Sequence, residues 1–172
     1  MRLRRLVVCS MVAVALPVSA AAAKGEAAYV VSGEAIVDHG GGVMSERTVS
    51  VIGDPSTTDV VGTYRFRVYG PDFDIQLAGS VDCLTVVGNT AYISGVLTES
   101  NRPDIPVGTP FYSALSDGGP AGVDVVAPIY LNPGVTCSPP SFQPEFVVTS
   151  GDLTILFCDK FKEGGKCKTR DG

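Results

Sequence analysis

Apolar and polar residues alternate along most of this chain. Within TYRFRVY, Tyr64, Phe66 and Val68 fall on one face and Arg65, Arg67 and Tyr69 on the other, the period of two expected of an antiparallel strand with one buried side. Gly70-Pro71-Asp72 supplies a turn, after which Phe73, Ile75 and Leu77 alternate with Asp72, Asp74 and Gln76. Gly79 allows a bend where the extended run would otherwise outgrow an ordinary strand, as a barrel or a strongly coiled sandwich requires.

The segment SVDCLTVVGNTAYISGVLT predicts a tight hairpin. Gly88-Asn89 is a two-residue loop with glycine in the first position, where a type II′ turn needs positive φ. That loop sets the register: Val87 faces Thr90, Val86 faces Ala91, Thr85 faces Tyr92, Leu84 faces Ile93 and Cys83 faces Ser94. Leu84, Val86, Ala91 and Ile93 form one apolar face, while Val81, Cys83, Val87, Tyr92 and Val96 populate the other, so the hairpin is expected to lie covered rather than at an edge. Asp82 would oppose Gly95, whose missing side chain implies a bulge or a close backbone approach.

Further β-type runs are AAYVVSGEAIV, RTVSVIG, PFYSALSD, GVDVVAPIY, FVVT and DLTILFC, separated by glycine and proline clusters such as DHGGG, DGGPAG and NPG. Longer loops occur only around Pro103 to Gly108 and Cys137 to Pro144, both rich in proline, which opposes helix. The expected architecture is all-β: a single antiparallel β-barrel or β-sandwich domain of about eight to ten strands.

The N-terminus has the three-part layout of an export signal: Arg2, Arg4 and Arg5, an apolar stretch from Leu6 to Leu16, then Ser19 and Ala20 to Ala23. The apolar stretch is shorter than the roughly 20 residues that cross a bilayer. Cleavage is expected after Ala20 or Ala23. Cys9 lies too early in the stretch to be a lipoprotein cysteine, whereas Arg4-Arg5 leaves a twin-arginine route open beside general secretion. The organisation read from the sequence is thus a signal peptide at 1–23, a β-rich domain at 24–158 and a basic tail at 159–172.

Removing the signal leaves about 149 residues, enough for one core that buries roughly 68 to 70% of the unfolded surface. Ten basic residues then face eighteen acidic ones, a net charge of −8, which argues against nucleic acid as a partner. The tail concentrates Lys160, Lys162, Lys166, Lys168 and Arg170; Asp159, Glu163 and Asp171 dilute them, so a solvated terminus is expected before an envelope-binding one. Cys83, Cys137, Cys158 and Cys167 form an even set suited to an oxidising compartment, giving two disulfides with three possible connectivities. The Gly164-Gly165 turn between Cys158 and Cys167 favours a local bridge, with Cys83 and Cys137 as its complement.

Three stretches, VDCLTVVGNTAYISG, FYSALSDGGPAGVDVVAPIY and TCSPPSFQPEF with the following SGDLTI, resemble in order a family of uncharacterised secreted bacterial proteins, mainly actinobacterial. That family carries a Cys-Leu-x-Val-x-Gly-Asn-x-Ala-x-x-x-Gly hairpin, an Asp-Asn-Gly turn before a strand, and a Cys-x-x-Pro loop before a Gly-Asn-Ile-x-Val strand. Here Asp117-Gly118-Gly119 corresponds to the turn and Cys137 to Pro140 to the loop, while Asp152 stands where the family tends to have asparagine. The resemblance implies a secreted β protein and supports pairing of Cys83 with Cys137. It leaves Cys158 and Cys167 in an extra tail and implies no activity.

Catalytic chemistry is sparsely provided for. A Ser-His-Asp or Cys-His arrangement would need His39, the sole histidine, which sits in a glycine loop poorly suited to holding a base. Asp72, Asp74, Asp82, Glu99, Asp104, Asp117 and Asp124 are available as a glycosidase-type pair, but most read as turn acceptors or solvent-facing strand residues. Asp82 reads as a structural aspartate among apolar neighbours. Zinc is disfavoured by the absence of CxxC spacing, Asp72-x-Asp74 is far from a calcium cage, and no cofactor motif is present. The expectation is a secreted, extracellular, non-enzymatic binding or interaction module that presents Asn101 to Pro110 and Asp117 to Gly122 to an envelope component or another protein. Two alternatives are a carboxylate-dependent hydrolase and a carrier of a small apolar ligand inside a hollow barrel lined by Phe66, Leu84, Tyr92 and Ile93.

Overall fold

Period-two patterning becomes a continuous antiparallel sheet in the computed structural model, which describes residues 28–54, 59–120, 122–132, 134, 144–158 and 167–169. The expected signal segment, Cys137 and residues 159–166 lie outside the described residues. The strands are β1 (Ala28–Asp38), β2 (Met44–Gly53), β3 (Val60–Gly70), β4 (Phe73–Val87), β5 (Thr90–Ser100), β6 (Pro110–Ser116), β7 (Val125–Val126), β8 (Tyr130–Leu131), β9 (Phe146–Val147), β10 (Ser150–Cys158) and β11 (Cys167–Thr169). Their spatial order is β11-β10-β1-β2-β3-β4-β5-β6-β7-β9, with β8 on β6. The described residues contain no helix, and none is long and apolar enough to cross a membrane.

The sheet curls into a half-barrel around Val31, Val49, Val51, Ile93, Leu115 and Leu153, with Tyr64 and Phe111 stacked at 5.6 Å between centroids. Tyr64, Phe66, Val68, Ile75 and Leu77 share the inner face as their alternation predicts, since Tyr64 pairs with Gly79, Phe66 with Leu77 and Val68 with Ile75. Two register shifts between β4 and β5 accommodate the curl: Thr98 of β5 is the extra residue beside Ala78/Gly79, and Asp82 of β4 is the extra residue between Val81 and Cys83. A bulge adds an unpaired residue and bends the strand that carries it.

β9 and β10 lie towards opposite ends of the sheet yet are joined by only Val148-Thr149, so the chain itself crosses the gap. Val148 N donates to Asp124 O at 2.9 Å, and Thr149 N donates to Ile36 O at 2.7 Å. Two carboxylates complete the closure: Asp124 accepts from Leu153 N at 2.7 Å, and Asp117 accepts from Ile155 N at 3.0 Å. Each also caps its own turn, Asp124 on Gly118 N and Asp117 on Gly119 N. Side-chain oxygens thus stand in for a neighbouring strand along β10. Asp117, Gly118 and Gly119, part of a segment expected to be a presenting loop, are anchored into this clasp.

The hairpin β4–β5 follows its expected register from Val87↔Thr90 to Cys83↔Ser94, and Gly88 takes φ 62° in the turn. Beyond Cys83 the expectation fails in one respect: Asp82 is itself the bulged residue, so Gly95 faces Val81. The extra residue reverses the alternation. Val81 therefore joins Leu84 in the core instead of sharing a face with Cys83, and Asp82 is exposed instead of lying among apolar side chains. The hairpin is interior to the sheet, between β3 and β6, although Val87 remains 53% exposed.

Cys158 and Cys167 are disulfide-bonded, clipping β11 of the basic tail to β10. Closing so short a loop contributes about 2.7 kcal/mol on the chain-entropy relation. Cys83 is also in a disulfide.

Candidate functional site

Strand parity draws a charge into the apolar interior. Ser45 and Arg47 lie on the same face of β2 as Val49 and Val51, and they are 1% and 2% exposed. Register places Arg47 opposite Phe66 and Ser45 opposite Val68 on β3. The guanidinium donates from Nη1 to Ser45 Oγ at 2.8 Å and from Nη2 to Ala127 O at 3.3 Å, and it lies 5.2 Å from the Phe66 ring centroid. Its Nε is buried without a partner. Tyr64 takes a further hydrogen bond from the same guanidinium, so Nε is its unmatched nitrogen, and no carboxylate among the described residues pairs with the charge: the ion pairs there join Arg67 to Glu46 and Asp74, and Arg102 to Asp104. Burying a charge away from water costs several kcal/mol of solvation unless hydrogen bonds and an opposite charge offset it.

Arg47 lines a recess of about 330 Å³, together with Phe66 and with His39, Val43, Val68, Pro128, Ile129 and Phe146. It opens near the end of the half-barrel that carries the β1–β2 turn, and its volume falls at the small end of the roughly 300 to 1,000 Å³ of ligand pockets. His39 is held firmly here, contrary to the expectation from its glycine loop. The turn is closed by His39 N donating to Val43 O at 2.9 Å and by Gly40 N donating to Asp38 Oδ1 at 2.7 Å. Its Nε2 contacts Ser45 Oγ at 2.8 Å, and its ring meets the Phe146 ring edge-on at 4.9 Å. The Ser45–His39 contact has the reach of a nucleophile and base, but a substrate carbon must also stand about 3 Å from the oxygen. Ser45 does not line the recess and already accepts from Arg47.

The four residues expected to line a hollow barrel separate. Phe66 reaches the recess, Leu84 and Ile93 fill the core, and Tyr92 packs on the other face of the sheet with Tyr112, Ala114 and Ala127.

Most of the carboxylates named from the sequence are engaged elsewhere or exposed. Asp74 is gripped by Arg67 through Nε and Nη2 at 2.9 and 3.0 Å, and Arg102 holds Asp104 at 2.8 Å through both nitrogens. The hydrogen bonds from Arg67, then Gln76, lower the Asp74 pKa, and those from Arg102 lower that of Asp104. A general acid needs the opposite shift. Glu46 and Glu99 both line a second recess of about 400 Å³ on the outer face, where Glu46 accepts from Tyr69 Oη at 2.9 Å. Asp72 and Asp82 are exposed, and Asp117 and Asp124 serve the clasp. No group of three metal-ligating side chains occurs among the described residues.

Two buried phenols carry a pH dependence. Burial raises the pKa of Tyr64, against the lowering influence of the Arg47 charge and of hydrogen bonds with Ser113 and Arg47. Tyr112 is fully buried with an unpartnered hydroxyl; burial raises it first, then the nearby Tyr92 and Tyr130. A raised folded-state pKa gives stability that is complete below the unfolded value near 10 and declines above it, by up to about 1.4 kcal/mol per pH unit for each tyrosine. Urea midpoints are expected to fall steeply from pH 10 to 11.5, and Tyr112→Phe is expected to flatten the fall. An unchanged slope in that variant would refute the assignment.

Compared with known proteins, the chain matches no family model, no curated protein and no solved structure.

Proposed function

We propose that this chain is an exported, non-enzymatic binding module whose binding element is the Arg47 recess. Segment 1–23 acts as the removed signal, and Cys83 pairs with Cys137 to brace the exported form. One observation carries the reading: a buried, under-satisfied guanidinium lines a cleft whose other walls are largely apolar. Preformed pockets of this kind, apolar with a few fixed polar groups, hold small molecules. The clasped half-barrel keeps those walls in place. Such a module belongs to the cell envelope or the extracellular space, and its ligand is a small molecule from that environment.

Thermal-shift measurements on the secreted protein against anionic, neutral and cationic small molecules and envelope glycans test the reading. Binding to the native state alone adds about 2.7 kcal/mol at a hundredfold excess over Kd, a readily measured rise in Tm. The reading fails if no member of the panel raises Tm.

A further inference from the structure

We propose that the recess binds a free monocarboxylate with an apolar body, its carboxylate completing the hydrogen bonding of Arg47. This rests on the binding-module reading and adds the chemical class of the ligand. Three observations converge. The guanidinium is positive, almost wholly buried and has no carboxylate partner among the described residues, so the missing element is an anion. The fork geometry of arginine matches a carboxylate through two parallel N–H···O bonds. Val43, Val68, Ile129, Phe146 and Phe66 offer contacts to hydrocarbon, and His39 is the other ionisable side chain in the lining. Ser45, bridging Arg47 and His39 at 2.8 Å on each side, fixes the guanidinium before a ligand arrives. The recess, about 330 Å³ and open to solvent on one side, has room for a ligand of about ten non-hydrogen atoms without enclosing it. Octanoate has that size.

The test is calorimetric titration of the secreted protein with octanoate, 1-octanol, octylamine and acetate. Octanoate is expected to bind at least tenfold tighter than 1-octanol and acetate, with no heat from octylamine. In the wild-type protein the Arg47 Nε–H resonance is expected to move with octanoate and stay in place with 1-octanol. Arg47→Met is expected to abolish the preference for octanoate over 1-octanol. Ile129→Trp fills the cleft from a loop while sparing Arg47, and is expected to weaken octanoate at least tenfold; this variant and the resonance decide the matter if Arg47→Met does not fold. Equal affinity for 1-octanol and octanoate, or octanoate binding that leaves the Arg47 resonance unmoved, would overturn the carboxylate assignment while leaving a binding module. Failure of octanoate when another panel member raises Tm overturns this inference alone; failure of every compound removes both readings.

Discussion

Alanine at both Asp117 and Asp124 is expected to open the half-barrel and leave a protein that is largely unfolded in mild urea. The two carboxylates accept from Leu153 N and Ile155 N, donors on β10 that face away from β1, and from Gly118 N and Gly119 N in their own turns. Hydrogen bonds to charged acceptors contribute about 1.5 to 3 kcal/mol each, and removing the acceptor leaves partly buried N–H groups unmatched. Each single alanine is therefore expected to cost about 3 kcal/mol, a large share of the roughly 5 to 15 kcal/mol that holds a domain together. Both act on the same strand, so the double variant should depart from additivity. Asp104→Ala is the control, because its ion pair with Arg102 is exposed and is expected to matter little. Equilibrium urea unfolding of the four proteins decides the matter. If Asp124→Ala is as stable as Asp104→Ala, the carboxylates do not hold the sheet closed.

Gly95→Ala is expected to destabilise by about 3 kcal/mol, at the upper end of what overpacking produces. A Cβ there would stand 1.9 Å from Ser80 O and 3.0 Å from Val81 Cα, both on the neighbouring main chain, which cannot move aside without parting β4 from β5. Gly88→Ala provides the contrast. It sits in open space at φ 62°, so only the left-handed conformation is penalised, by about 1 kcal/mol. Thermal or chemical denaturation giving Gly95→Ala the smaller loss would contradict the close approach seen at the bulge.

Much of the sheet could be read from the sequence because its signals are local. A two-residue loop at Gly88-Asn89 fixes every partner back to Cys83, and the alternation from Tyr64 to Leu77 fixes which side chains turn inward. Gly95 announced a tight crossing, although not which residue would be displaced. Asp82 as the bulged residue depends on how β4 must bend to wrap the core, a demand that only the closed sheet makes. Arg47 was legible in part: in the run from Ser45 to Val51 it shares parity with two valines, and a cation on an apolar parity is the sign of a buried charge. What surrounds it was not legible, since Ala127, just after β7, and Phe146, in β9, are both far from it in sequence. The ring contacts of His39 were not legible for a related reason, because glycines around a residue describe the freedom of its main chain and not the contacts waiting for its ring. The clasp by Asp117 and Asp124 has no local signature, as aspartates in turns look alike whether they cap a neighbour or a strand thirty residues away.

Pairing of Ala28 with Cys158 gives the molecule a high contact order. The first strand must wait for nearly the last before one of its edges is covered, which places folding among the slower β topologies, on millisecond to second scales. During synthesis that bare edge is a template for mispairing. Until β10 has been synthesised, the same geometry leaves the half-barrel unclosed on that side.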